Sequence, residues 1–338
     1  MQYLPQHISG EADDVKTSSG SEAVTLLTRA AAKRPADVAA RPGGGRRRRA
    51  GEPKWWVAYL FLAPGLVFFG LFFAWPAITA AQLAFYDYDI VNPPRFVGTG
   101  NFERLAASDD FWQAFGNSVQ FLLMFVPLVV VLPLLLAVVV NKRLRGIGAF
   151  RLAYYLPVVT SMVAIAIAWS FVFHPRGALN WLLLELGVLD TPIQFLLDEQ
   201  WALPAVVAVE AWQHAGYFMM IYLAGLQSIP ADLYEAAALD GAGGWARFRR
   251  ITVPLIRPYA AVCCVLGGIL ATQAFASIYV LTGGGPQGAT TTLGYYIWSE
   301  AFEDFDFGYA SAVGLVLWVF LICYALAQYR LTRGKPVG

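Results

Sequence analysis

The sequence predicts an all-α integral membrane protein with six transmembrane helices, and three observations carry that expectation. Hydrophobic residues fill 58% of the 338 positions and charged residues only 14%, whereas an ordinary soluble domain is about 25% charged. Six runs almost free of charge, at residues 55 to 80, 118 to 140, 152 to 173, 201 to 226, 258 to 281 and 309 to 329, each reach the roughly 20 residues a helix needs to cross a bilayer core. The basic residues fall on alternate connections, and short loops rich in Lys and Arg stay in the cytoplasm. Of the 24, ten precede the first run, four follow the second (Lys142, Arg143, Arg145, Arg151), four follow the fourth (Arg247, Arg249, Arg250, Arg257) and three follow the sixth (Arg330, Arg333, Lys335). Only Arg95, Arg104 and Arg176 remain for the other face, so both termini are expected in the cytoplasm.

Residues 1 to 54 are polar and basic, without the apolar core of a secretory signal, and read as a disordered cytoplasmic extension. Arg46 to Arg49 stand just before the first run, where Trp55 and Trp56 sit at headgroup depth. They suit an anchor touching anionic lipid, and no folded sequence surrounds them to make a nucleic-acid module. Residues 55 to 338 form one six-helix domain. Its first outer loop, Phe96 to Gln120, reads as a short surface helix, and NWLLLELGVL in the second is too short to span. The third outer loop turns at three glycines and Pro286 before a segment rich in Tyr and Trp returns toward the membrane. Prolines 64, 76, 127, 133, 157 and 204 lie inside the runs and predict bent helices. Cys263, Cys264 and Cys323 lie in membrane runs and read as packing residues, with no metal-ligand spacing and no disulfide framework.

The inner loop between the fourth and fifth runs, residues 230 to 257, is the most patterned polar stretch. Pro230 suits a first helical turn, and Asp232 and Glu235 place negative charge near its positive end. Gly241 stops that helix, and Gly243 and Gly244 let the chain turn before a second, basic helix from Trp245 to Ile251. Such a hairpin either lies in the headgroups or inserts into a groove on a soluble partner, and pattern alone leaves both open.

The spacing Glu235-Ala236-Ala237, three residues, Gly241, nine residues, then Ile251 and Pro254 resembles the EAA signature of permease subunits of binding-protein-dependent ABC importers. Val253 replaces the usual Leu of that signature. FVGTGNF, LRGIGAFRLAYYLPVVTS, LQSIPADLYEAAALDGAG and LTGGGPQGATTTLGYYIWSEAF are similar to the maltose-type branch, which imports sugars and glycerol phosphates, and the likeness spans residues 55 to 333. The resemblance implies a type I importer permease fold in a bacterial inner membrane, with the loop as a coupling helix in a cleft of an ATPase subunit. It assigns Glu235, Ala236, Ala237, Gly241, Arg247, Ile251 and Pro254 to ATPase coupling. It also implies a second homologous permease subunit, two ATPase subunits that hold ATP and Mg, and an extracellular solute-binding protein, with no cofactor and no metal on this chain. In keeping with that division, the sequence has no G-x-x-x-x-G-K-[ST] phosphate loop, since Gly334-Lys335 is followed by Pro336.

Glu210 stands alone as an acid in the middle of a run, where insertion scales charge on the order of 2.5 to 3.5 kcal/mol. Gln213, His214 and Tyr217 follow at i+3, i+4 and i+7 on the same helical face. That face either satisfies itself, with Glu210 bonded to His214 or a partner subunit, or lines a solute pathway with Trp212 and Tyr217 stacking on sugar rings. The maltose-type resemblance supports the pathway. Thr272, Gln273 and Ser277 are the comparable positions on the fifth run, where hydroxyls commonly bond backbone or a neighbouring helix. A proton-coupled secondary transporter is the rival reading. A membrane-embedded enzyme fits poorly, because the three histidines (7, 174, 214) lie in different regions and no paired intramembrane carboxylates exist.

Overall fold

The computed structural model describes residues 55–141 and 147–332. The expectations for residues 1 to 54, for Lys142, Arg143 and Arg145, and for the tail from Arg333 lie outside the described residues. The chain divides into two units, residues 1–65 and 66–338. The described part of the first is the beginning of helix α1 (Trp55–Phe69), in which Tyr59 to Leu62 are exposed.

In the second unit a π-helical turn, Gly70–Ala74, continues α1 into α2 (Trp75–Leu83). The wide turn lies directly before Pro76, whose ring displaces the carbonyl four residues back. A two-residue antiparallel ribbon, β1 (Tyr86–Asp87) with β2 (Arg95–Phe96), leads to α3 (Gly100–Ala107) and α4 (Asp109–Val140). Then come α5 (Ile147–Val159), α6 (Met162–Phe173), α7 (Ala178–Glu185) and α8 (Ala202–Gln227). α9 (Ala231–Leu239) and the short α10 (Gly244–Arg247) make the hairpin, and a second π-turn, Phe248–Thr252, feeds α11 (Val253–Thr272). The chain ends in α12 (Ala276–Leu281), α13 (Leu293–Phe302) and α14 (Phe307–Thr332).

Among the described residues, five stretches are long and apolar enough to cross a membrane: Tyr59–Leu83, Asp109–Val140, Met162–Glu185, Gly244–Thr272 and Phe307–Arg330. α8 has the length, 26 residues, but its Glu210, Gln213 and His214 lower its hydropathy. It is nevertheless the most deeply enclosed helix, packed on α4 through Phe121, Phe125 and Val129 and on α11 through Ile256 and Cys263. A helix that faces protein rather than lipid can carry polar groups, provided its neighbours bond them.

Several expected boundaries are corrected. The second span begins at Asp109 rather than 118, because Ser108 caps its first turn by accepting from the Phe111 amide and Asp109 and Asp110 favour its positive end. Of the expected surface helix in Phe96 to Gln120, only α3 is separate. The third run is two helices, α5 and α6, interrupted at Thr160 and Ser161, beyond Pro157, which lies inside α5. The fifth run is likewise broken between Thr272 and Ala276, and α11 starts five residues earlier than the expected 258.

Glycines let the bundle close. A Cβ on Gly216 of α8 would stand 2.1 Å from the Tyr154 carbonyl oxygen, so the α5 backbone rests directly on α8. Gly268 of α11 receives the Tyr324 ring of α14, whose hydroxyl donates to the Cys264 carbonyl at 2.6 Å. The three cysteines are free, with Cys263 buried among these contacts.

Candidate functional site

The hairpin is built by local chemistry. α9 closes with a left-handed glycine: Gly241 has φ +77°, its amide donates to the Ala238 carbonyl, and the Ala242 amide reaches the Ala237 carbonyl. This double bond is the Schellman ending, which needs a residue without a Cβ penalty in that place. A shallow concavity of about 400 Å³ opens between the two arms, lined by Ala237, Asp240, Gly241, Arg247, Arg250 and Ile251. Glu235 and Ala236 are exposed beside it, while Ile251 and Pro254 are half-buried at the root. The Glu235 side chain makes no hydrogen bond or ion pair among the described residues. At the tip, Leu239 is 90% exposed and Trp245, stacked on Phe248, is 73% exposed.

The root of the hairpin is fixed. The Tyr234 and Thr252 hydroxyls meet at 2.9 Å, tying α9 to the π-turn that opens α11. One turn further in, a Cβ on Gly225 would lie 2.7 Å from the Tyr259 ring, so α8 and α11 cross in contact at that point. Ser228 and Tyr259 share a hydrogen bond of 3.3 Å across the same crossing. Tyr234, Gly225 and Tyr259 were not singled out from the sequence; Tyr234 stands immediately before Glu235 in the signature, and its phenol was the available signal.

The second candidate face lies on α8. Glu210 is buried and accepts a 2.6 Å hydrogen bond from Ser277 of α12, while its other carboxyl oxygen stands 3.4 Å from His214 Nδ1. The same His214 nitrogen lies 2.9 Å from the Glu210 carbonyl, and the ring meets Phe125 edge-on. Gln213, also buried, donates to the Thr160 carbonyl at 3.2 Å. Tyr217, one turn on, is exposed, as are Met220 and Ala224 beyond it. Trp212 does not join this group: two residues from Glu210, it points to the opposite side and packs edge-on against Trp169. On the fifth run, Thr272 bonds the Ile269 carbonyl of its own helix and Gln273 is exposed at the break.

At the opposite end of the bundle from the hairpin, Arg104 of α3 pairs with Asp306 at 2.9 Å and lies over the Tyr309 ring. Burial alone would lower the Arg104 pKa, but the hydrogen bond and charge of Asp306 outweigh it and raise it. Nearby, burial raises the Glu300 carboxyl above its ordinary value. Asn117 donates to the Gly288 and Thr291 carbonyls, and Ser118 accepts from the Leu293 amide, pinning the glycine-rich loop to α4. Among the described residues, no three His, Cys, Asp or Glu side chains gather to hold a metal.

Residues 105–335 match the model of the family described as binding-protein-dependent transport system inner membrane component. The chain is 34% identical over 281 residues to the lactose transport system permease protein LacF of Rhizobium radiobacter, covering 82% of this chain and 94% of that one. It is 32% identical over 282 residues to the sn-glycerol-3-phosphate transport system permease protein UgpA of Agrobacterium fabrum, covering 82% and 95%. Its fold matches a chain of a bacterial alginate ABC transporter, solved in complex with an alginate pentasaccharide-bound periplasmic protein, with TM-score 0.71, 27% identity and coverage of 82% and 94%. The match of the hairpin-bearing region to the family model and of nearly the whole bundle to these permeases leads to one conclusion: the chain belongs to the family of inner-membrane permease components of binding-protein-dependent ABC importers, which are transport subunits and not themselves enzymes.

Proposed function

We propose that this permease carries a carbohydrate or a glycerol-phosphate-like solute, handed over by an extracellular binding protein and driven by two ATPase subunits beneath the hairpin. A second, homologous permease completes the pathway, and both termini of this chain face the cytoplasm. The observation that carries the reading is the hairpin: a tip exposing Leu239 and Trp245 on a root locked by Tyr234–Thr252 and by Gly225 against Tyr259. Apolar side chains held that far into water mark a surface that a partner covers. A rigid root passes the partner's movement to α8 and α11 together. ATP acts on the membrane helices only through its different affinity for their two arrangements, so that attachment is the functional requirement.

The proposed roles keep Glu235, Ala236, Ala237, Gly241, Arg247, Ile251 and Pro254 in the coupling element. Along α8 the solute face is Tyr217 with His214, backed by Glu210 and Gln213; Thr272, Gln273 and Ser277 border it, and Trp212 serves the helix packing behind it. The sugar and glycerol-phosphate permeases among its relatives support this solute class. In the assembled transporter, Glu235→Lys and Gly241→Val should abolish uptake linked to ATP hydrolysis. Tyr217→Ala should change solute preference with hydrolysis intact. Assembly and coupled hydrolysis surviving both hairpin changes would refute the coupling role.

A further inference from the structure

Two of the membrane runs are broken, and the polar side of α8 bonds to both breaks. Between α5 and α6 the helical ladder lapses at Thr160 and Ser161, and Gln213 donates to the Thr160 carbonyl at 3.2 Å. Between α11 and α12 it lapses over residues 273–275, and Ser277, in the first turn beyond, donates to Glu210 at 2.6 Å. The segments beyond the two breaks, α6 and α12, pack on each other. α8 by contrast packs chiefly on α4 and α5, and meets α6 and α12 only lightly. Beside these bonds α8 meets them through non-directional contacts, among them the Trp169 ring on Trp212 and the buried apolar cluster that includes Ile165, Ile278 and Val206. The far side of α12 rests on α13 through the rings of Phe275 and Tyr279 against Tyr295 and Trp298. A pair of half-helices with a hinge at each root, bonded to α8 by Ser277 on Glu210 and pinned at its far end by Thr282 on Thr290, has the construction of a latched flap.

We propose that Glu210 is a positioning residue that latches the α6–α12 pair to α8 through Ser277, with Gln213 fixing the Thr160 hinge, and that releasing the Glu210–Ser277 bond frees the pair to swing about Thr160–Ser161 and residues 273–275. This gives the lone intramembrane acid a task apart from touching solute. Ser277 needs only an acceptor oxygen, which a glutamine side chain also offers. A role for the Glu210 charge, on solute or on protons, would not tolerate that replacement. The link to uptake rests on the importer reading; the latch itself does not.

The test uses the full chain in lipid nanodiscs, with Cys263, Cys264 and Cys323 changed to alanine and spin labels placed by Arg176→Cys, just beyond α6, and Asp110→Cys, at the start of α4. Glu210→Gln, which keeps an acceptor oxygen for Ser277, should leave the distance distribution as it was. Glu210→Met and Ser277→Ala should each add a displaced population, moving the ratio of the two arrangements by about tenfold or more, as expected for loss of a hydrogen bond to a carboxyl group. The double variant Glu210→Met/Ser277→Ala leaves no buried polar group unpaired, so it tests the same shift if a single variant fails to fold. An unchanged distribution in Glu210→Met, Ser277→Ala and the double variant would overturn the latch. So would a Glu210→Gln variant whose distances shift as far as those of Glu210→Met.

Discussion

Gly216, Gly225 and Gly268 stand where helices touch, and they meet two kinds of neighbour. Beside Gly216 the obstacle is the Tyr154 backbone, which has no rotamer to yield; beside Gly225 and Gly268 it is the edge of a tyrosine ring. Overpacking a membrane bundle strains it by about 1–3 kcal/mol, with the larger values where backbone must move. Gly216→Ala should therefore lower thermal stability most, Gly225→Ala and Gly268→Ala less, and Gly314→Ala, with open space around it, should stay within about 0.5 kcal/mol. A thermal unfolding series in one detergent would rank them, and a Gly216→Ala variant as stable as Gly314→Ala would contradict the close α5–α8 contact. None of these roles could be read from the sequence, since a glycine in a membrane run does not announce what faces it. The pairing of Glu210 with His214 was legible from the i+4 spacing. Its partnership with Ser277 was not, because it joins positions 67 apart in the chain.

The hairpin shows why local chemistry is legible when long-range contacts are not. Its first helix and its stop at Gly241 follow from Pro230, the early acids and the glycines, and the structure reproduces both; the expected second helix, Trp245 to Ile251, is instead the opening of the continuous stretch Gly244–Thr272. The tie between Tyr234 and Thr252 needed the fold, because it depends on a π-turn that brings position 252 back over α9. Tyr234→Phe removes that bond and keeps the ring. It should reduce uptake per ATP hydrolysed by a few-fold without loss of helix content; an unchanged ratio would mean that the root is held by the Gly225 crossing alone. The break at Thr160 and Ser161 lies beyond Pro157, which α5 contains without interruption. The break at residues 273–275 carries neither proline nor glycine. It is a tertiary product: a Cβ on Gly294 at the start of α13 would lie 3.2 Å from the Thr272 carbonyl oxygen, so α13 arrives where α11 stops.

For the protein as a transport subunit, the fold class was legible almost entirely from apolar runs and basic loops, and the errors are in boundaries. The fourth run illustrates both the strength and the limit of hydropathy. It has the length of a span, yet its polar side chains lower its average because it lies inside the bundle. Structure adds the physical link the account depends on, a hairpin fixed at its root to two membrane helices and apolar at its tip. The account stands on a separate ATP-hydrolysing polypeptide that clasps this tip and moves it. The most direct measurement is a cross-link from Leu239→Cys, in a background without native cysteines, within the particle purified from its own membrane. The prediction is a high-yield adduct with an ATPase subunit, whose formation changes when ATP is added. If position 239 instead labels freely with a water-soluble maleimide, and no nucleotide-hydrolysing subunit accompanies the chain, the account is contradicted.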